Sequence, residues 1–88
     1  MFKTAIITGS STGIGKSLAF KLSKNKYKII LVARSEEKLE LIAKQIKDNG
    51  SESLIVPADL SKPESILQIK AKVKLFGDVS LVINNAGM

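Results

Sequence analysis

The spacing of apolar residues changes period repeatedly along this chain, between short continuous runs and the three-to-four spacing of helices. Thr4-Ala5-Ile6-Ile7-Thr8 is a short apolar run that stops at Gly9, which predicts a buried strand. From Gly13 to Lys24 the apolar positions Ile14, Leu18 and Leu22 fall at helical spacing. Tyr27 to Ala33 is continuous, short and β-branched, so it predicts a second buried strand. Glu36 to Asp48 sets Leu39, Ile42, Ala43 and Ile46 on one helical face and keeps Lys38, Glu40, Lys44 and Lys47 away from it. Ser35 is the expected N-cap of that helix and Asn49-Gly50 its expected stop. Ser53 to Pro57, centred on Leu54-Ile55-Val56, predicts a third strand.

Ser61-Lys62-Pro63-Glu64 has the form of a capping box, with Pro63 in the first turn, where its missing N–H costs nothing. The helix it opens carries Ile66, Ile69, Val73 and Phe76 on one face and is closed by Gly77-Asp78. Val79 to Ile83 predicts a fourth strand running into Asn84-Asn85-Ala86-Gly87. The expected order is β-α-β-α-β-α-β, with no linker and no low-complexity stretch. Strands joined by helices of this length pair in parallel, because only a crossover connects parallel neighbours, and right-handed crossovers wind them into a doubly wound α/β sheet. The expected strand order is 3-2-1-4, and the sheet is expected to be incomplete. The strand Val79–Ile83 has no partner on its far side, and one sheet face has a single helix to cover it.

Composition narrows the possibilities. At 88 residues and 9.5 kDa the chain is at most one domain. Its 44% hydrophobic and 25% charged residues are ordinary for a soluble globular chain and argue against disorder. It holds no cysteine and no histidine, which excludes a disulfide scaffold, a thiolate metal site and an imidazole base. The net charge of +6 comes mostly from lysines scattered between Lys3 and Lys74 without a dense block. Phe2, Phe20, Tyr27 and Phe76 are not interleaved with them as a base-stacking platform requires, so the charge is expected to be a solvated surface and no nucleic-acid partner is expected. No apolar run approaches the ~20 residues of a membrane span, and Met1-Phe2-Lys3-Thr4 does not open a signal peptide. A cytoplasmic chain without a membrane partner is expected.

Candidate chemistry sits directly after the first strand, in Thr8-Gly9-Ser10-Ser11-Thr12-Gly13-Ile14-Gly15. Glycines between a strand and a helix of a βαβ unit are the setting of a dinucleotide fingerprint. Gly9 allows the tight turn, Gly13 lets backbone approach a pyrophosphate, and Gly15 lets the helix pack close to the strands. The helix N-terminus offers unpaired N–H groups and partial positive charge to phosphate.

The spacing is Gly-x-x-x-Gly-x-Gly. Together with Asp59-Leu60 after the third strand and Asn84-Asn85-Ala86-Gly87 after the fourth, it resembles the short-chain dehydrogenase/reductase family, over the whole chain but only the first part of that family's Rossmann-like domain. The resemblance implies that Gly9, Ser10, Ser11 and Thr12 turn over the adenosine phosphates, with Ile14 against the pyrophosphate. It implies that Asp59 accepts from the adenine amino group and that Leu60 lines the adenine pocket. It further implies that Asn84 steadies the central strands beside the cofactor ribose, with Ala86 and Gly87 as backbone contacts.

Cofactor choice is read at the end of the second strand. An NAD enzyme usually places a carboxylate there, which a 2′-phosphate would meet with repulsion. Here Ala33 stands in that place, followed by Arg34, whose guanidinium can grip a phosphate, and Ser35, which can add a hydrogen bond. NADP(H) is therefore expected over NAD(H).

The family's hydride transfer uses Ser, Tyr and Lys, the last two as Tyr-x-x-x-Lys. The one tyrosine, Tyr27, has Leu31 four positions on, and its expected role is structural. The catalytic segment, nicotinamide pocket and substrate loop are expected beyond Met88, so no catalytic residue and no metal ligand is assigned. Two readings stand. One is the cofactor-binding first part of an NADP(H)-dependent oxidoreductase for a carbonyl or alcohol substrate, a homo-oligomer being compatible with its longer form. The other is a stand-alone nucleotide-binding or interaction module without catalysis. The bare fourth strand, guarded only by Asp78 and Ser80, favours the first.

Overall fold

The four strands form one parallel sheet in the order β3-β2-β1-β4, as the alternation of elements predicts. They are β1 (Lys3–Thr8), β2 (Tyr27–Ala33), β3 (Ser53–Pro57) and β4 (Leu81–Asn84). The crossovers are α1 (Gly13–Lys24), α2 (Glu36–Asp48) and α3 (Pro63–Phe76). The computed structural model describes residues 3–9, 13–59, 61–76 and 78–84. Among the expected site residues, Ser10, Ser11, Thr12, Leu60, Ala86 and Gly87 lie outside the described residues, as does the helix-closing Gly77.

The continuous apolar run of β2 is explained by burial on both faces. Ala5, Ile7, Ile29, Leu31 and Ala33 face α1 and α2, where they pack with Ala19, Leu39, Ile42 and Ile46. Ile6, Ile30, Val32, Val56 and Ala58 form the core of the opposite face, against Ile69, Val73 and Phe76 of α3. Ile29, Ile30, Leu31 and Val32 lose all contact with water. Each such side chain contributes roughly 1.5–3 kcal/mol of transfer free energy.

α2 begins and ends on the expected residues. Ser35 has extended backbone and its side chain accepts from the Lys38 N–H. At the other end Gly50 has φ 86, its N–H donates to Lys47 and that of Ser51 to Ile46. These are the two bonds of a Schellman stop, which needs the left-handed conformation glycine adopts freely.

Two expectations are corrected, in α3 and β4, while α1 adds a detail: its buried residues are the small Gly15, Ala19 and Ser23, and Ile14 is 62% exposed. Small residues occupy the line of closest approach, and Leu18 and Leu22 flank it, half-buried. In α3 the inward face runs through Ser65, Ile69, Val73 and Phe76, leaving Ile66 half-exposed at its rim, about 20° beyond Val73. The fourth strand starts at Leu81 rather than Val79. Val79 leaves the ladder to pack beside Ile69, Val73 and Phe76, and the Ser80 N–H makes the first bond to β1, at Thr4.

Candidate cofactor-binding site

In a parallel sheet every strand delivers its following loop to the same edge, and ligands bind there where the strand order reverses. Here the reversal lies between β1 and β4. Two backbone bonds carry the pairing past the strand ends and fix the loops against one another. The Gly9 N–H donates to Val32 at 2.8 Å, and the Ala58 N–H donates to Ala33 at 2.9 Å. Gly9, Arg34 and Asp59 thereby follow the ends of β1, β2 and β3 on neighbouring strands, each one position further along the register than the last. On the other side Thr8 pairs with Asn84 in register, and the Thr8 hydroxyl donates to the Ile83 carbonyl at 3.4 Å. Asn84 therefore ends β4 at this edge.

The glycines behave as their positions demand. Gly9 has φ 66 and Gly13 φ 59, a region that L side chains adopt only at a cost. A Cβ placed on Gly13 would meet no atom within 4 Å, so the backbone there stands open to an incoming group. Gly15 is buried against the sheet. Ile14, between them at the start of α1, is exposed.

Arg34 is exposed immediately after β2, and Ser35 caps α2 beside it. Because Ser35 Oγ accepts from the Lys38 N–H, its hydroxyl hydrogen remains for a second acceptor. This edge therefore presents a guanidinium, a hydroxyl and open glycine backbone: donors suited to phosphate. This donor set fits a dinucleotide phosphate, and nothing in it competes as an acceptor except Asp59.

Asp59 is half-buried after β3. Its Oδ1 accepts both the Ser61 hydroxyl, at 2.7 Å, and the Ser61 N–H, at 3.0 Å. These bonds hold its carboxyl below the ordinary value of 3.8, with the hydroxyl bond first in weight. Partial desolvation opposes the shift, and the positive charges of Arg34 and Lys62 reinforce it. Sequence reasoning assigned Ser61 to the cap of α3 and passed over Lys62. The Asp-x-Ser spacing of a side-chain turn is the signal that points to Ser61. Tyr27 stands at the opposite end of β2 from Arg34, packed against the core, in keeping with a structural role. Among the described residues no helix is long and apolar enough to cross a membrane.

Comparison with known proteins converges on one family. The sequence profile of the short chain dehydrogenase family matches residues 3–88. The 3-oxoacyl-(acyl-carrier-protein) reductase FabG of Staphylococcus epidermidis is 38% identical over 90 residues, covering 100% of this chain and 37% of the reductase. L-sorbose reductase from Gluconobacter frateurii, solved with NADPH and L-sorbose, superposes with a TM-score of 0.94 at 37% identity over 99% of this chain and 34% of its own. A short-chain dehydrogenase from Sphingobium yanoikuyae, solved with NADPH, gives 0.89 at 31% identity over 99% of this chain and 35% of its own. The chain thus spans about a third of the length of the relatives it matches.

Proposed function

The chain belongs to the short chain dehydrogenase family, and from that membership we propose that residues 1–88 are the NADP(H)-binding first part of a single Rossmann domain in an oxidoreductase acting on a carbonyl or alcohol. When bound, the nicotinamide cofactor supplies or receives the hydride. The residues of this chain bind and orient it. In this reading Gly9, Ser10, Ser11 and Thr12 would turn over its adenosine phosphates and Gly13 would let backbone approach the pyrophosphate, with the N-terminus of α1 adding partial positive charge. Ile14 covers the pyrophosphate, and Gly15 allows α1 to approach the sheet. Asp59 accepts from the adenine amino group and Leu60 lines its pocket. Asn84, Ala86 and Gly87 follow the cofactor past β4.

The observation that carries the choice of NADP(H) is Arg34 with Ser35 at the end of β2, where Ala33 replaces the carboxylate an NAD enzyme would carry. A bidentate guanidinium–phosphate contact is among the stronger hydrogen-bonded pairs. NADPH complexes of the sorbose reductase and of the Sphingobium dehydrogenase support the same cofactor. The same proposal expects the cytoplasm as the compartment. The 88 residues contain no Tyr-x-x-x-Lys, so the chain by itself is expected to oxidise no NADPH with any carbonyl compound.

Fluorescence titration with NADPH and NADH tests the cofactor. NADPH is expected to bind about 10–100-fold more tightly, and R34A to remove most of that difference while leaving NADH affinity nearly unchanged. Equal affinities in the wild-type chain, or tighter NADH binding, would refute the assignment.

A further inference from the structure

Within the NADP(H) reading, on which this step rests, we propose that Ser61 is a positioning residue for the adenine end of the cofactor: its two donors fix Oδ1 of Asp59 and so turn Oδ2 towards the exocyclic amino group of the base. The side chain of an aspartate rotates broadly about its terminal bond, so a carboxylate on a loop does not by itself hold one oxygen in a fixed direction. Here the Ser61 hydroxyl and N–H both reach the same oxygen, at 2.7 and 3.0 Å. The Lys62 N–H meanwhile donates to the Asp59 carbonyl at 3.0 Å, so the residue is held at its main chain as well as its side chain.

The Ser61 hydroxyl has a single hydrogen, and it is given to Asp59, where the bond to an anion is stronger than one to a neutral acceptor. Among the bonds described, none reaches Oδ2. An ionised carboxylate only accepts and an adenine amino group only donates, so the remaining oxygen matches that group and not a carbonyl oxygen in its place. The Ser61 bonds, reinforced by the charges of Arg34 and Lys62, hold the carboxyl below its ordinary value, and neither cation occupies it in any bond described.

The test compares NADPH with its hypoxanthine analogue, in which a carbonyl replaces the amino group, on the full chain. The wild type is expected to prefer NADPH by about tenfold, the strength of one hydrogen bond to a charged acceptor. S61A is expected to bring that ratio to about twofold or less, and S61T, which keeps the hydroxyl, to restore it. A carbon NMR titration gives a readout that needs no cofactor. The Asp59 carboxyl is expected to titrate below the ordinary range in the wild type and S61T, and to rise towards it in S61A. If S61A does not fold, Ser61→Cys, close in size but a poor donor, is held to the same outcomes.

An S61A chain that keeps the wild-type ratio overturns the positioning role. So does one that loses affinity for both dinucleotides equally, which is what a merely structural serine would do. A wild-type chain that binds neither dinucleotide strikes the NADP(H) reading itself and removes this role with it. Binding with an unchanged ratio strikes Ser61 alone.

Discussion

Lys26 carries φ 64, the one non-glycine residue in the left-handed region among those described. It follows the last turn of α1, where the Asn25 N–H donates to Leu22 and the Asn25 side chain to Lys21, and its carbonyl then accepts from Lys3 at the start of β1. Gly50 stands at the equivalent point after α2 with φ 86. The same device is thus built once with glycine and once with a residue that bears a Cβ. A left-handed non-glycine residue costs of order 1 kcal/mol, partly offset by the extra freedom glycine brings to the unfolded chain. Lys26→Gly is expected to stabilise the chain by about 0.5–1 kcal/mol, and Lys26→Ala, which keeps the Cβ, to give none of that gain. Urea unfolding of the three proteins measures this, and a lower midpoint for Lys26→Gly would refute it. Legibility at this scale follows the same physics. Gly9 and Gly13 could be placed from sequence because a turn with positive φ selects glycine almost by itself. Ser61 could not, because Ser61-Lys62-Pro63-Glu64 reads as a cap of α3, and the donation of its hydroxyl to Asp59 depends on how the folded backbone brings the two residues together.

Helix and strand extents were legible almost to the residue, whereas Ala19 and Ser23 of α1 and Ser65 of α3 were not among the residues read as buried. A strand buried on both sides, such as β2, has no inward face to misjudge. In a helix the apolar stripe and the line of closest approach need not coincide. Gly15, Ala19 and Ser23 define that line in α1, yet they are the least hydrophobic of its candidates. α3 shows a second way in which contacts escape periodicity. Lys28 interrupts the apolar run of β2, and its Nζ donates to the Phe76 carbonyl at 3.3 Å while lying 4.9 Å from the centre of the Phe76 ring. A cation at a helix C-terminus meets the negative end of the dipole and an orphan carbonyl together. One strand residue thereby pins the end of a helix 48 positions away. Lys28→Met, which keeps an apolar stem but loses both contacts, is expected to cost about 1–2 kcal/mol, and Lys28→Arg less than half of that. Hydrogen exchange gives the sharper check. Protection is expected to fall first in the last turn of α3 and to stay high in β1 and β2, and a uniform loss would contradict a local anchor.

Residues in register across a parallel sheet share a face, so Leu54, Ile30, Ile6 and Val82 form one row on the α3 side. Along it Ile30 is 0%, Ile6 8% and Val82 68% exposed. α3 leans over β2 and β3 and leaves the β4 end of the row open, while its own Leu67 and Leu75 also face water. The two edges of the sheet differ in their protection. β3 is short and ends in Pro57, which has no N–H to offer a further strand. β4 has neither proline nor charge within Leu81-Val82-Ile83-Asn84, and an unguarded apolar edge invites pairing with another chain. The 88-residue chain is therefore expected to associate as its concentration rises from about 10 μM to 1 mM. The net charge of +6 opposes this at low salt, since the Debye length of ~30 Å at 0.01 M leaves like charges unscreened. Association should then strengthen towards 1 M salt, where apolar contacts persist and repulsion does not. Val82→Lys places a charge on the open row at an exposed position, so it is expected to weaken association while changing stability by no more than about 0.5 kcal/mol. Sedimentation velocity across both series decides the matter. A monomer at every concentration and salt would mean that β4 is guarded as the edge of a finished domain should be, and would favour a stand-alone nucleotide-binding module. Association that Val82→Lys suppresses identifies β4 as the edge on which the sheet of a longer family member would continue.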